Sequence, residues 1–485
     1  MSRPLALALA LLAALVGCVP SLPGGPARAP RRAVPATFGV GESDAENSAR
    51  VDWRSFFNDP QLVALIDAAL QGNQELNIAV QEALVVNSEV MARRGEYLPN
   101  LSFSARAGID RVGLYTSQGQ SDDRHGVAAD LQNYSFGLYS SWEVDVWSRL
   151  RNAARAQQLR YLGSLEGRNF IITRLVAEIA NRYYELLSLD RRLAIVRNNI
   201  QLQENALEMV RIQQQAARVT MLAVRRFEAQ LQGFQARQFD LQQRVVETEN
   251  QLNLLLGRFP QRVARSTDDL MSLEPPVVHT GLPSQLLENR PDVRRAELDL
   301  RAAGLDVASA RAAFYPALRL EGAVGFQSFD IRHLLDTPDS ILYNLLAGIT
   351  APLLNRAGIT AQYYAANSRQ MQAVLQYERA ILTAYLEVNT NLNLVRNLSQ
   401  SYGLQRQQVA RLAEAVEIST LLFNSARADY LEVLTTRRDS LEAQMGLIET
   451  KQRQLTAAVA LYQALGGGWR APQRAAQTAS AGGAR

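Results

Sequence analysis

The amino-acid sequence predicts a mainly α-helical protein with membrane β-strands, built from two copies of one plan. Three observations favour this fold class. Proline is absent from Asn100 to Phe259 and again from Leu353 to Ala471, which permits very long helices. Short segments that alternate apolar and polar residues separate the helical parts. Related motifs recur in the two halves of the chain, so we predict an internal duplication.

The N-terminus has the organisation of a secretory signal peptide. Arg3 precedes an apolar run, residues 5–17, that is short for a membrane-spanning helix. Residues 15–18, LVGC, resemble a bacterial lipobox, in which the cysteine becomes the acylated first mature residue. Cys18 is the only cysteine, so it cannot form a disulfide within the chain. We predict a signal peptide over 1–17 and lipidation at Cys18; an anchor helix or an unmodified thiol are the alternatives.

The segment after Cys18 is rich in Pro, Gly and Ala up to about residue 50, and it predicts an extended tether over 18–58. The 51 basic and 47 acidic residues are dispersed, so nucleic acid is not an expected partner. No later apolar run is long enough to span a bilayer as a helix, so entry into a membrane requires β-structure.

Motifs for catalysis are absent from the sequence. It contains no HExxH, P-loop, GxSxG or dinucleotide-binding pattern. The three histidines, His125, His279 and His333, are far apart along the chain. We therefore expect no enzyme activity, no cofactor and no metal site.

Two segments show the duplication. Residues 96–109 resemble 313–326 at a spacing of 217, and "RYYELL" (182–187) resembles "AYLEVN" (384–389) at about 202, which predicts gaps between the copies. Each copy reads as one helix, two strands around a polar loop and two long helices. The predicted boundaries are repeat 1 at 59–258, a linker at 259–280, repeat 2 at 281–466 and a flexible tail at 467–485.

Four segments are predicted as strands: about 100–112, 132–146, 317–329 and 341–354. In the first, Leu101, Phe103 and Ile109 face one side, opposite polar residues that include Arg106 and Asp110. An apolar face opposite a polar one over about ten residues is typical of a membrane barrel strand with a wet interior. A soluble sandwich is the alternative. Four strands cannot close a barrel, so several chains must contribute.

The helices after each strand pair are predicted to be rods. One from about 150 to 216 would extend to about 100 Å. Positions from Phe227 to Leu255 and from Leu434 to Tyr462 that step by four and three are mostly apolar, with some polar breaks, and this spacing indicates coiled-coil packing. If the helices are considered without the strands, they also fit a lipid-anchored periplasmic coiled-coil scaffold, which is the alternative.

Several segments resemble one family. "VDWRSFFNDPQLVALIDAALQGNQEL" (51–76), residues 281–322, "ADYLEVL" (428–434) and "SWEVDVW" (141–147) are similar to the TolC-like outer-membrane efflux proteins, in their lipoprotein branch. The resemblance implies a homotrimer, with four strands per protomer in a twelve-stranded β-barrel and long helices in a periplasmic α-barrel. It also implies a periplasmic adaptor and an inner-membrane pump, usually of the resistance-nodulation-division type, as partners.

The resemblance further implies where the function lies. The turns near 218–220 and 427–429 would form the closed periplasmic tip. The expected aperture residues are Asp429, Glu432, Thr435 and Asp439. The expected adaptor-docking residues are Ala217, Arg218, Val219, Thr220, Ala426, Arg427 and Ala428. Thr435 stands where the family is often acidic, and Ala217 and Ala426 stand where it usually has glycine.

The implied function is a passive exit duct for small molecules, located in the cell outer membrane with a lipid anchor and a long periplasmic portion. A duct for type I protein secretion is the alternative within this family. The cargo, whether drugs, metals, solvents or siderophores, is left open by the sequence.

Overall fold

The computed structural model describes residues 19–39, 46–266, 269–425 and 427–470. The predicted signal peptide, Cys18, Ala426 and residues 471–485 lie outside the described residues. The chain divides into two compact units. Unit 1 combines residues 83–163 and 297–376 with the described part of 1–30; unit 2 combines 164–296 with the described parts of 31–82 and 377–485.

The elements follow the predicted order in both halves. The α-helices are α1 (Trp53–Phe56), α2 (Pro60–Gly72), α3 (Gln74–Gly95), α4 (Ser117–Arg124), α5 (Arg149–Gln215), α6 (Met221–Leu255), α7 (Leu286–Asn289), α8 (Pro291–Ala312), α9 (Ala357–Asn424) and α10 (Tyr430–Ala464). The strands are β1 (Asn100–Arg111), β2 (Asp130–Val144), β3 (Ala317–Ser328) and β4 (Ile341–Thr350). Among the described residues, no helix combines the length and the apolar character needed to cross a membrane.

Unit 1 contains one antiparallel sheet in the order β1-β2-β3-β4. Phe136 lies opposite Phe326, with ring centroids 5.2 Å apart, and Phe103 lies 6.4 Å from Phe136 on the same face. The apolar side chains of this face are open to the surroundings: Leu345 and Phe103 are 85% and 67% exposed. The other face is polar, and it brings Arg319 opposite Glu143. The sheet therefore has the alternation that the sequence predicts.

The pairing register also shows which face of the sheet each residue of β4 occupies, although the alternation of apolar and polar residues in this segment is less regular. Ile341 lies opposite Phe326 and Tyr343 lies opposite Val324, so the odd-numbered residues of β4 join the apolar face. The predicted end at 354 is wrong, because the strand ends at Thr350, which pairs with Ala317, the first residue of β3. The predicted range 132–146 for β2 is similarly shifted, since the strand begins at Asp130, opposite Arg111.

The long helices form two matched hairpins. Helices α5 and α9 contain 67 and 68 residues, and α6 and α10 contain 35 each. Because α6 and α10 are equally long, Met221 is equivalent to Tyr430 and Leu255 to Ala464, which sets the offset between the hairpins at 209. The offset of 202 expected from the sequence is therefore wrong by one heptad. A heptad pattern resembles itself after a slip of one heptad, so periodicity alone could not select the register.

The core of unit 2 includes residues that were predicted to form the tether. Trp53, Phe56 and Phe57 are buried in the same cluster as helices α5 and α10. Phe56 stacks on Tyr462 with ring centroids 4.0 Å apart, and the Tyr462 hydroxyl donates to the Val51 carbonyl at 2.7 Å. The tether prediction for 18–58 is therefore wrong at its C-terminal end, because these aromatic side chains are buried.

The extended N-terminal segment is held by side chains of α9. In unit 1, the Tyr364 hydroxyl donates to the Ser21 carbonyl at 3.1 Å. In unit 2, the Tyr385 hydroxyl donates to the Thr37 carbonyl at 3.1 Å, and its ring stacks on Phe38. Within each unit, the segment is therefore fixed by hydrogen bonds and ring contacts, in addition to being extended.

The first residues of the predicted flexible tail are also fixed. The Trp469 indole donates to the Asn289 carbonyl at 3.2 Å, and Arg470 donates to the Asn289 side-chain oxygen at 2.7 Å. The tail prediction is therefore wrong for 467–470. In the predicted linker 259–280, Val263 and Leu270 are buried in the unit 2 core.

Candidate functional site

The turn between α5 and α6 ends the first long helix with a left-handed residue. Ala217 has a φ of +56°. The Ala217 N–H donates to the Gln214 carbonyl at 2.9 Å, and the Arg218 N–H donates to the Gln213 carbonyl at 2.9 Å. These two bonds define a Schellman motif, whose left-handed position usually carries glycine. The alanine at 217 therefore occupies a conformation that glycine adopts without strain.

The Ala217→Gly substitution is expected to stabilise the first hairpin by about 1 kcal/mol, because it removes the left-handed strain of an L-residue. The measurement is thermal unfolding of the purified protein, followed by helical circular dichroism. Ala216→Gly is the matched control, since Ala216 still donates to the Ile212 carbonyl at 3.1 Å in a helical bond and should lose stability. Equal effects of the two substitutions would contradict the prediction.

The turn between α9 and α10 follows the same pattern. The Arg427 N–H donates to the Leu422 carbonyl at 2.8 Å, which is the equivalent of the Arg218–Gln213 bond. Both arginines are exposed, whereas Val219 and Ala428 are half-buried. The predicted docking residues thus form two similar turns; Ala426 lies outside the described residues.

An apolar cluster beneath the first turn joins the two hairpins within unit 2. It contains Leu207 and Val210 of α5, and Phe227 of α6, and Leu434 of α10 is buried in the same cluster. Val219 and Tyr430 pack against it from the two turns. The cluster positions the start of α10 beside the first hairpin.

The acidic residues predicted for the aperture differ in their surroundings. Asp429 and Glu432 are exposed at the start of α10, and neither carboxylate has a hydrogen-bond or ion-pair partner among the described residues. Asp439 accepts from Arg438 at 2.9 Å. The Thr435 hydroxyl donates to the Leu431 carbonyl of its own helix at 2.8 Å. Among the described residues at this end of α10, Asp429 and Glu432 are therefore the two that present uncompensated negative charge.

Charged residues near the first turn were not identified from the sequence. Glu228 of α6 accepts from Arg211 at 2.7 Å and from Arg225 at 2.8 Å. Hydrogen bonds from these two guanidinium groups lower the pKa of the Glu228 carboxyl below its ordinary value. The spacing of Arg225 and Glu228 by one helical turn was a sequence signal for their pair, but the contact with Arg211 depends on hairpin closure.

An open groove of about 420 Å³ runs between α6 and α10 near the turns. Arg226 and Arg237 line one wall, and Arg438 lines the other together with Leu431 and Thr435. The groove combines guanidinium groups with apolar surface. Sequence reasoning missed it because the two helices belong to different repeats and are far apart along the chain.

The histidines have separate local partners in the structure. His333 Nδ1 lies 2.7 Å from an Asp336 carboxylate oxygen, and His125 Nδ1 lies 2.7 Å from the Ser121 carbonyl. Across the part of the chain that the structure describes, no three His, Cys, Asp or Glu side chains form a group that could hold a metal ion.

Comparisons with known proteins identify relatives over most of the chain. A family model described as outer membrane efflux protein matches residues 65–258 and 282–467. The cation efflux system protein CusC of Escherichia coli is 28% identical over 447 residues, covering 91% of this chain and 94% of CusC. The pyoverdine export outer membrane protein OpmQ of Pseudomonas aeruginosa is 30% identical over 437 residues, covering 90% of each. The open-state structure of the MtrE outer membrane channel of Neisseria gonorrhoeae has a TM-score of 0.80 at 26% identity, with 93% of this chain and 99% of MtrE covered.

Proposed function

The chain belongs to the outer membrane efflux protein family, and from this we propose that it is the outer-membrane exit duct of a tripartite efflux system. One observation carries the proposal: each repeat contains two strands of the sheet followed by a hairpin of very long helices. The sheet argues against the alternative of a periplasmic coiled-coil scaffold, which needs no strands. The duct is passive: it conducts small molecules without a cofactor or a chemical step.

The sheet supports a membrane assembly of three copies. Within the described residues, β1 and β4 each pair on one side only, so the sheet has two open edges. Open edges in lipid leave backbone groups unsatisfied at several kcal/mol each. Joining β4 of one copy to β1 of the next removes every edge, and three copies give twelve strands. The exposed apolar face then contacts lipid, and the polar face with Arg106, Glu143 and Arg319 lines the channel.

We propose that the helical turns form the periplasmic tip and that a periplasmic adaptor and an inner-membrane pump open it. Ala217–Thr220 and Ala426–Ala428 would contact the adaptor. Around a threefold axis, Asp429 and Glu432 would form a ring of negative charge that favours cations and keeps the aperture narrow through contacts to neighbouring copies. Thr435 and Asp439 would lie further along the same helix.

Purified protein in planar bilayers tests the duct. The unaltered chain should give a low, cation-preferring current, and Asp429→Ala with Glu432→Ala should raise the current and lower the K⁺ to Cl⁻ permeability ratio about twofold or more. Asp439→Asn is the matched control, because Arg438 already neutralises that carboxylate, and it should change the ratio less. Absence of any current from both the unaltered chain and the double variant would contradict the proposed function.

Lipid at Cys18 would add an anchor beside the sheet. The segment that follows Cys18 contacts α9 at Tyr364 in unit 1, which also contains the strands. One lipidated residue adds modest affinity beside a membrane-inserted sheet. The anchor is therefore proposed to be auxiliary.

Cys18→Ala, exported through a non-lipoprotein signal peptide, is expected to assemble in the outer membrane and to keep efflux within about twofold of the unaltered chain. Outer-membrane fractionation and ethidium efflux in cells that express the cognate pump and adaptor measure this. Loss of the trimer from the outer membrane would show instead that lipidation is needed for assembly.

We propose that the cargo is selected by the pump and adaptor. The names of the relatives assign cations to CusC and pyoverdine to OpmQ, although both are similar to this chain over 90% or more of its length. Both names describe efflux or export of small species, which favours an efflux duct over a type I secretion duct. The test is to tag the chain and to identify the class of inner-membrane pump that co-purifies with it. An efflux pump would support the efflux duct, and a type I secretion pump would support the secretion duct.

A further inference from the structure

The polar face of the sheet in unit 1 contains a hollow at the end of the sheet where β1 begins. Two rows of paired residues cross the sheet there. They are Asn100–Ser141–Glu321 and Ser102–Tyr139–Ala323–Asn344. The hollow has a volume of about 250 Å³. This is smaller than the pockets that hold drug-sized ligands, so the hollow has room for one small solute.

Small side chains open the hollow, and contacts within the sheet fix its walls. On the polar face, β2 carries Ser141 and β3 carries Ala323. The Ser102 hydroxyl donates to the Tyr139 carbonyl at 3.3 Å, which joins β1 to β2 beside the hollow. The Arg106 guanidinium lies 5.6 Å from the centroid of the Tyr139 ring and holds this ring at one side of the hollow.

Four polar side chains line the hollow and make no side-chain hydrogen bond or ion pair with another described residue. They are Asn100, Ser141, Glu321 and Asn344. The amides and the hydroxyl both donate and accept hydrogen bonds, whereas the carboxylate only accepts them. The hollow therefore offers groups of mixed polarity around a single negative charge.

Glu321 differs from Glu143, a second carboxylate at this end of the sheet. Glu143 contacts Arg149 at 2.6 Å and Arg319 at 3.9 Å. Arg319 lies two residues before Glu321 on the same face of β3, yet its ion pair is with Glu143. Glu321 thus has no cationic partner among the described residues, and its carboxylate is free to accept charge-assisted hydrogen bonds from an ammonium group.

We propose that the hollow binds a small solute that carries both an amino group and several hydroxyl groups, such as an amino sugar. The ammonium group contacts the Glu321 carboxylate, and the hydroxyl groups exchange hydrogen bonds with Asn100, Ser141 and Asn344. Neighbouring strands lie about 5 Å apart, so side chains on adjacent strands contact one sugar ring at the same time. The proposal deepens the duct function and rests on it, because this face lines the proposed channel.

Saturation-transfer NMR of the purified protein in detergent tests binding independently of conduction. Glucosamine is the probe, and glucose and methylammonium each carry only one of its two kinds of group. Titration should give glucosamine a dissociation constant at least about threefold lower than that of either comparison solute. Glu321→Gln should remove the difference between glucosamine and glucose. Asn344→Ala should weaken the binding of glucosamine and leave that of methylammonium unchanged.

Asp110→Asn is the matched control. Asp110 lies on the same polar face near the other end of β1, opposite Leu131 and outside the hollow, so its substitution should leave glucosamine binding unchanged. Glu321 and Asn344 are exposed, so their variants should fold, and circular dichroism checks this. Equal binding of the three solutes, or glucosamine binding that survives Glu321→Gln, would overturn the proposal.

A bilayer measurement relates the hollow to the channel. In the chain with Asp429→Ala and Glu432→Ala, glucosamine should reduce the current at a lower concentration than glucose does. Adding Glu321→Gln should remove that difference. A current that responds equally to both solutes, although glucosamine binds in detergent, would overturn the placement of the hollow in the channel.

The two proposals fail separately. A conducting chain that does not bind glucosamine would contradict the hollow and leave the duct function intact. A chain that binds glucosamine in detergent but never conducts would contradict the duct and leave the binding site intact.

Discussion

Arg290→Ala is expected to lower the free energy of unfolding by about 3–5 kcal/mol, since it removes the cation from a buried ion-pair network. Arg290 is 4% exposed in unit 2. Its guanidinium contacts Asp292 at 2.7 Å and Glu387 of α9 at 2.6 Å, and it donates to the Ala464 carbonyl at the end of α10 at 2.8 Å. One side chain therefore joins α8, α9 and α10.

The charge of Arg290 is well compensated. Burial disfavours the guanidinium, but the hydrogen bonds and charges of Asp292 and Glu387 outweigh burial and raise the pKa of Arg290 above its ordinary value. After substitution, two carboxylates lose their partner and the Ala464 carbonyl loses its donor, which explains the size of the expected loss.

Thermal unfolding in detergent, followed by circular dichroism, measures the effect. Arg411→Ala is the matched control, because Arg411 pairs with Glu414 at 3.1 Å on the exposed surface of α9 and should cost less than about 1 kcal/mol. Similar losses from the two substitutions would show that the Arg290 network does not stabilise the junction.

Gly257→Ala should destabilise the end of the first hairpin by about 3 kcal/mol, through left-handed strain and a backbone clash. Gly257 has a φ of +69°, and a Cβ there would lie 2.0 Å from the Gly72 carbonyl oxygen. The neighbouring Asn73 amide donates to the Leu255 carbonyl at 2.9 Å, so the two chain segments cannot separate without losing that bond.

Gly446→Ala provides the control for Gly257→Ala. Gly446 lies inside α10, and nothing lies within 4 Å of a Cβ built there. This substitution should stabilise the protein by about 0.5–1 kcal/mol, because alanine restricts the unfolded chain. Parallel unfolding curves measure both, and a neutral Gly257→Ala would contradict the close approach of Gly257 to Gly72.

Local patterns predicted the elements well. The alternation of apolar and polar residues identified the apolar face that contains Leu101 and Phe103, and the missing prolines allowed α5 and α9 to be recognised as very long helices. The family resemblance placed the two turns between the long helices. In the first turn, Ala217 adopts the left-handed conformation that glycine would favour. These features depend on residues within a few positions of each other.

Long-range features were predicted less well. The predicted tether over 18–58 wrongly included Trp53 and Phe56. The composition of residues 20–50 does not indicate that Phe56, further along the chain, packs on Tyr462. Asp439 was grouped with Asp429 and Glu432, although its contact with Arg438 neutralises it. The ion pair of Arg211 with Glu228 likewise exists only once the hairpin has closed.

By itself, the sequence determined the order of the elements and the apolar face of the first strands, since helix breakers and residue periodicity act locally, and its resemblance to a family placed the turns. The tertiary structure alone decided the register that relates the two hairpins, because a heptad pattern is unchanged by a slip of one heptad. It also decided that Ile448 and Leu455 of α10 are buried, whereas Phe239 and Val246 of α6 are exposed. Burial depends on which helix lies alongside, and that neighbour comes from the other repeat, far away along the chain.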